Sequence, residues 1–101
     1  MIARIWHGRT KADDFEAYTS FMKSVAIPDY QKTTGFVKLS FLRRIEGEIA
    51  HFTLITYWEN LDVIKNFTGP DYEVAKYYPK DKTYLLEFEE RVTHFEVFAE
   101  E

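Results

Sequence analysis

The sequence predicts an α+β domain of the ferredoxin-like kind: a β-α-β-β-α-β order in which a four-stranded antiparallel sheet carries its helices on one face. Three observations predict it. Met1 to Thr10 and Arg91 to Ala99 alternate with a period of two at opposite ends of the chain. Gly35 to Asn60 reads as two strands around a Glu46-Gly47-Glu48 turn, and the two intervening stretches repeat their apolar residues at intervals of three and four. At 101 residues, 46% of them apolar, residues 1-101 form one domain with no linker, repeat or low-complexity segment.

In the first strand, Ile2, Arg4, Trp6 and Gly8 share one face and Ala3, Ile5, His7 and Arg9 the other. Thr10 stands three residues before Asp13, a capping-box-like spacing, and Asp13 and Asp14 suit the positive end of a helix dipole. The helix that follows places Phe15, Tyr18, Met22 and Val25 on one face. Pro28 is expected to end it, with Asp29 to Thr34 as a bend or one more helical turn, closed by Gly35.

Alternation in the second strand sets Phe36, Lys38, Ser40, Leu42 and Arg44 against Val37, Leu39, Phe41, Arg43 and Ile45. In the third, Phe52, Leu54, Thr56 and Trp58 oppose Ile49, His51, Thr53, Ile55 and Tyr57. Asn60 is placed to cap a second helix carrying Leu61, Ile64 and Phe67, which Gly69-Pro70 ends. Asp71 is read as the cap of another short helix with Tyr72, Val74, Ala75 and Tyr78, broken at Pro79. Tyr84, Leu85, Leu86 and Phe88 then anchor a loop before the last strand.

Neither face of the hairpin is cleanly polar, whereas a sheet with one wet face alternates apolar with polar residues. Helices cover one face only. A second copy packed sheet to sheet is the economical cover for the other, so a homodimer is expected. An aromatic content of 18% agrees, because that is more than so small a domain readily buries alone.

A formal charge of −4 and a pI near 5.4 have the wrong sign for neutralising a phosphate backbone, so nucleic acid is not an expected partner. The absence of cysteine removes disulfides, thiol catalysis and thiolate-bound zinc. Met1 leads straight into a strand-like run without a signal-type segment, which makes a cytoplasmic location the expectation. No apolar run approaches the ~20 residues of a membrane-spanning helix, so no membrane partner is expected. His7, His51 and His94 stand mid-strand without metal-ligand spacing, so no metal site is expected either. Hydrolase and phosphate-loop motifs are absent as well.

What remains is an aromatic-rich space between sheet and helices. Trp58, Phe52, Leu54, Phe67, Tyr77 and Tyr78 are its expected contributors, with Trp6 or His7 from the first strand. Each Phe and Leu also reads simply as core. Trp58, Tyr77, Tyr78 and His7 carry polar handles that require partners when buried.

Two local sequences carry a family resemblance: Thr34-Gly35-Phe36 leading into the second strand, and Tyr57-Trp58-Glu59-Asn60-Leu61 leading out of the third. With the length and topology, they make the chain resemble the antibiotic biosynthesis monooxygenase family of dimeric α/β barrels. Members of that family oxidise polycyclic phenols to quinones with dioxygen and neither metal nor flavin. Trp58 matches their pocket tryptophan, while Leu54, Ile64 and Leu42 stand where those members have Asn, Tyr and His. A second branch binds and degrades haem through an Asn on the first strand, a Trp in the second helix and an axial His. The corresponding positions look like Trp6 or His7, Phe67 and Tyr77.

The resemblance implies a cofactor-independent monooxygenase acting on a small aromatic quinol or polyphenol, with no cofactor. Trp58 is its pocket wall, His7 or Tyr77 handles the proton, and Trp6, Phe52, Leu54, Phe67 and Tyr78 contact substrate. The alternative is a non-catalytic dimeric protein of the same fold that binds a small molecule or serves as a scaffold. Haem binding ranks behind both.

Overall fold

Gly47 and Glu48 form the tight connection between strands β2 (Phe36–Glu46) and β3 (Ile49–Trp58), and Gly47 supplies the positive φ of 61° that the reversal requires. The computed structural model describes all residues from Met1 to Glu101. Strand β1 (Ile2–Lys11) pairs along the whole of β3, and β4 (Thr93–Glu96) pairs with the start of β1. All pairings are antiparallel and the order is β2-β3-β1-β4, so the ferredoxin-like α+β class holds. The last strand is shorter than the expected Arg91 to Ala99.

The first helical stretch contains a turn that periodicity did not predict. A 3₁₀ turn (Ala12–Asp14) leads into α1 (Phe15–Phe21), then a π-helical turn (Met22–Ala26), then α2 (Ile27–Gln31). Pro28 therefore does not end the helix. The π turn is closed by the Ile27 N–H on the Met22 carbonyl, and Pro28 falls in the first turn of α2, where its missing N–H costs little. One extra residue in the turn also rotates the rest of the helix. Ala26 and Tyr30 are buried on the sheet side, and Val25, expected there, is exposed.

A second irregularity sits in β2. The register with β3 slips between Phe36 and Lys38, leaving Val37 as the extra residue of a bulge. Phe36 therefore shares the inner face with Leu39, Phe41, Arg43 and Ile45, and not with Leu42 as strict alternation gave.

Helix α3 (Leu61–Thr68) begins as expected: the Asn60 side chain accepts from the Val63 N–H at 3.0 Å. The helix expected after Asp71 is absent. Asp71 instead accepts from the Glu73 N–H in a turn, the chain runs extended, and Val74 bridges to Arg91. A single helical turn, α4 (Asp81–Tyr84), comes next. Of the expected loop anchors Leu85 is buried and bridges to Thr10, whereas Leu86 and Phe88 are exposed.

The core lies between the inner sheet face, carrying Trp6, Phe52, Leu54 and Trp58, and the helix residues Tyr18, Phe21, Met22, Tyr30, Ile64 and Phe67. The outer face carries half-buried Ile5, Ile49, Ile55 and Tyr57 and exposed Leu42 and Phe95. No helix is long and apolar enough to cross a membrane.

Candidate functional site

Three adjoining features lie between the inner sheet face and the helices: an aromatic stack, a small polar chamber and an apolar groove. The stack surrounds Trp58. Its ring meets Phe36 at 5.5 Å, Phe67 at 5.9 Å and Tyr30 at 6.3 Å between centroids, and Tyr30 lies stacked on Phe67 at 4.3 Å. Trp58 is fully buried, and its Nε1 donates to Thr56 Oγ1 at 2.9 Å. Its polar handle is thus satisfied by its own strand. It lines no cavity: the space expected beside it is filled.

Next to the stack, Arg4, Trp6 and Leu54 from the sheet meet Tyr18, Met22, Ala26 and Tyr30 from the helix and Lys76, Tyr78 and Asp81 from the connection before β4. They enclose a chamber of about 10 Å³, room for about one water molecule. Asp81 organises its floor. Its Oδ1 accepts from the Tyr18 hydroxyl at 2.8 Å and its Oδ2 from the Tyr78 N–H at 2.6 Å. Burial raises the Asp81 carboxyl above its ordinary range even though both bonds favour the charged form.

Burial also holds the tyrosines protonated. It pushes the Tyr30 hydroxyl up to about 12, and it raises Tyr18, facing Asp81, and Tyr78, which donates to Asp29 Oδ2 at 2.6 Å. Burial pushes Asp29 upward too, but the hydrogen bonds from Lys76 and Tyr78 outweigh it and the carboxyl stays below its usual range.

The cations complete the chamber. Arg4 is 2% exposed, and burial lowers its pKa. It donates to the Tyr72 carbonyl at 2.6 Å and the Val74 carbonyl at 2.8 Å. Its Nη1 lies 3.1 Å from His94 Nε2, which must therefore accept, and burial followed by the nearby guanidinium lowers the His94 pKa accordingly. Trp6, buried at 7% exposure, reaches across because Gly8 has no side chain: a Cβ there would collide with the indole. Trp6 Nε1 lies toward the Tyr77 hydroxyl but out of hydrogen-bonding geometry, and has no partner.

The groove opens between α1 and the β2-β3 hairpin. It encloses about 160 Å³, and Met22, Ile27, Phe41, Phe52 and Leu54 make it apolar, with Thr19, Lys23, Arg43 and the outward-facing Leu42 of edge strand β2 completing the lining. Arg43 is held there by Glu16 at 2.6 Å and by the Phe15 ring at 4.1 Å. Met22 and Leu54 line both groove and chamber and so form the wall between them.

The structure thus brings Trp6, Leu54 and Tyr78 together at the chamber, Phe52 and Leu54 at the groove, and Trp58 and Phe67 in the packed stack. It separates the other two expected residues from them. His7 is on the outer face of the sheet, its Nε2 3.4 Å from His51 Nδ1 and its Nδ1 3.3 Å from Glu89, so the sheet stands between it and Trp58. The grouping of His7 with Trp58 in one pocket is therefore corrected. Tyr77 packs edge-on against Trp6 at 6.2 Å but donates to the Glu89 carbonyl at 2.6 Å beside a shallow hollow with Phe88.

Sequence reasoning missed Arg4, Tyr30, Lys76 and Asp81. One signal was available: Arg4 alternates with Trp6 on an apolar strand face, which is no place for an unpaired charge. Asp81, between Lys80 and Lys82, gave none.

No family model matches the chain, and no curated protein matches it. Two chains among solved structures do. One is a crystal structure of a point mutant of MhuD with two manganese protoporphyrin IX bound per active site, at a TM-score of 0.63 and 14% identity, covering 99% of this chain and 97% of that one. The similarity spans both chains and supports the α+β ferredoxin-like fold. At that identity it shows the fold alone.

Proposed function

We propose that this protein binds a small aromatic molecule in the groove between α1 and the β2-β3 hairpin, and that it acts as a cofactor-independent oxygenase on a phenol or quinol held there. The groove carries the reading. An apolar cavity of about 150 Å³ accepts benzene, so about 160 Å³ suits a one-ring compound. Apolar residues with a polar rim are the lining of a small-molecule site.

In this reading Phe41, Phe52 and Leu54 hold the ring away from water, and the Lys23 and Arg43 cations at the rim favour an ionised hydroxyl. The electrons for dioxygen come from the substrate: a phenol and dioxygen give a quinone and water. Trp58 is then a support for the sheet and not the pocket wall.

The porphyrin of the structural neighbour does not transfer. Pockets for ligands of drug size run from about 300 Å³ upward, and the inner side of this sheet offers about 160 Å³ in the groove and about 10 Å³ in the chamber, with Tyr30, Phe67 and Trp58 filling the rest. No three His, Asp or Glu side chains converge as metal ligands.

Calorimetric titration with methylhydroquinone tests the binding, with Ile27→Trp as the variant that fills the groove. Binding by the native chain and a loss of ~10-fold or more in the variant are expected, and no binding at millimolar ligand overturns the proposal. Identical products from aerobic and anaerobic incubations would remove the oxygenase half alone.

A further inference from the structure

We infer that His7 and His51 form a zinc-binding pair on the outer face of the sheet, each imidazole oriented by a carboxylate of its own. The sheet stands between this pair and the groove, so neither site depends on the other.

The two histidines are 44 residues apart in the chain, and the strand register brings them together. His51 lies opposite Arg9 and Thr53 opposite His7, which makes the histidines diagonal neighbours on one face of β1 and β3. They stand beyond the end of β4, which pairs only with Ile2 to Ile5. Both reach solvent, His7 with 38% and His51 with 20% of the side chain exposed.

The ring centres are 5.7 Å apart while His7 Nε2 and His51 Nδ1 are 3.4 Å apart, so these two nitrogens lie between the rings and face each other. The outer nitrogens face carboxylates. His7 Nδ1 is 3.3 Å from Glu89 Oε1, and His51 Nε2 is 3.7 Å from Glu46 Oε1. An ionised carboxylate only accepts, so each outer nitrogen carries the proton of a neutral imidazole and each inner nitrogen keeps a bare lone pair. Two lone pairs aimed at one gap repel, and a cation between them removes the repulsion.

A shared proton fits the gap poorly, because N–H hydrogen bonds run to about 3.2 Å. Zinc fits it well. At about 2.0–2.1 Å from each nitrogen and with tetrahedral angles, the ion sets two imidazole ligands about 3.3–3.4 Å apart. A right-angled pair, as in square-planar copper, would need about 2.9 Å. A small tilt of each exposed ring brings both lone pairs onto the ion. Glu89 and Glu46 then stand where carboxylates hold the second N–H of zinc-bound histidines, fixing the tautomer and raising ligand basicity. Glu87 adds a third negative charge near both rings, against the guanidiniums of Arg9 and Arg44, so the local charge favours a cation. The chain supplies two ligands, and the remaining tetrahedral positions are left to water, which makes the ion exchangeable.

Calorimetric titration of the untagged native chain with zinc chloride should show saturable binding of one ion per chain below millimolar zinc. His7→Gln and His51→Gln should each abolish it, and Glu89→Ala, which leaves both ligands in place, should weaken it about 10-fold. In the native chain zinc should shift the ring resonances of His7 and His51 and leave those of His94, whose Nε2 is taken by Arg4, a readout that needs no variant. Absence of saturable binding, binding that survives either histidine substitution, or unmoved His7 and His51 resonances overturns the inference. Each of those results leaves the groove as a ligand site.

Discussion

Removing one hydroxyl, by Tyr18→Phe, tests whether Asp81 is the clamp that fixes the connection before β4 to the first helix. The bond runs 2.8 Å between two buried side chains, Tyr18 at 0% and Asp81 at 3% exposure, and the substitution leaves Asp81 Oδ1 without its side-chain donor. Hydrogen bonds to charged groups contribute about 1.5–3 kcal/mol, and the hydroxyl is otherwise packed among rings that a phenylalanine would preserve. A loss of about 2 kcal/mol lowers the melting temperature of a domain this size by roughly 8 °C or more. The loss should depend on pH. Burial raises the native Asp81 carboxyl, so this group's contribution is most favourable below the ordinary carboxylate range and declines as pH rises through its native value. The Tyr18 bond limits that decline by favouring the charged form. Without it the native pKa climbs further, so native and variant stabilities should diverge as pH rises from acid to neutral. Thermal melts across that range are the assay. A shift below about 2 °C at pH 7, or a gap that widens toward acid, would refute the clamp.

Gly35 holds φ at 95° against Val63, so Gly35→Ala should cost about 1–3 kcal/mol from the backbone alone, with part of any further loss recovered by Val63→Ala; urea unfolding measures both. Asn60→Ala should remove about 1 kcal/mol by leaving the Val63 N–H without its cap, again read from urea midpoints. The outer sheet face, with Ile5, Ile55, Tyr57 and Phe95, is expected to pack against a second copy, so light scattering should give twice 12.1 kDa and Ile55→Glu should give a monomer. A native monomer would remove that expectation.

The strands were legible because their signal is local. Alternation in Ile49–Trp58 places Phe52, Leu54, Thr56 and Trp58 inward as the structure does, and Asn60 is a cap whose partner lies three residues away. The misreadings each come from one inserted residue or one non-local contact. Pro28 looked like a helix end because a π turn leaves no mark in the apolar spacing, and the same insertion exchanged Val25 for Ala26 on the buried face. The Val37 bulge did the same to β2. Tyr72 to Tyr78 has helical spacing, but the Val74 bridge to Arg91 and the Arg4 guanidinium, which takes the Tyr72 and Val74 carbonyls, hold that backbone extended.

The site was harder to read for a physical reason. The expected residues were chosen for aromatic mass, and aromatic mass fills space as readily as it lines it: Trp58 and Phe67 are surrounded by rings and leave no room for a ligand. What distinguishes the chamber is its polar floor, and that depends on partners far apart in the chain. Arg4 meets residues 68 to 90 positions away, and Tyr18 meets Asp81 across 63. Asp81 looks like any surface carboxylate between two lysines until α4 turns it inward, where a carboxylate must be bonded at both oxygens to stay charged. The contacts that close the connection before β4 onto the first helix are thus the ones that build the chamber, and none of them is visible in the local spacing of the chain.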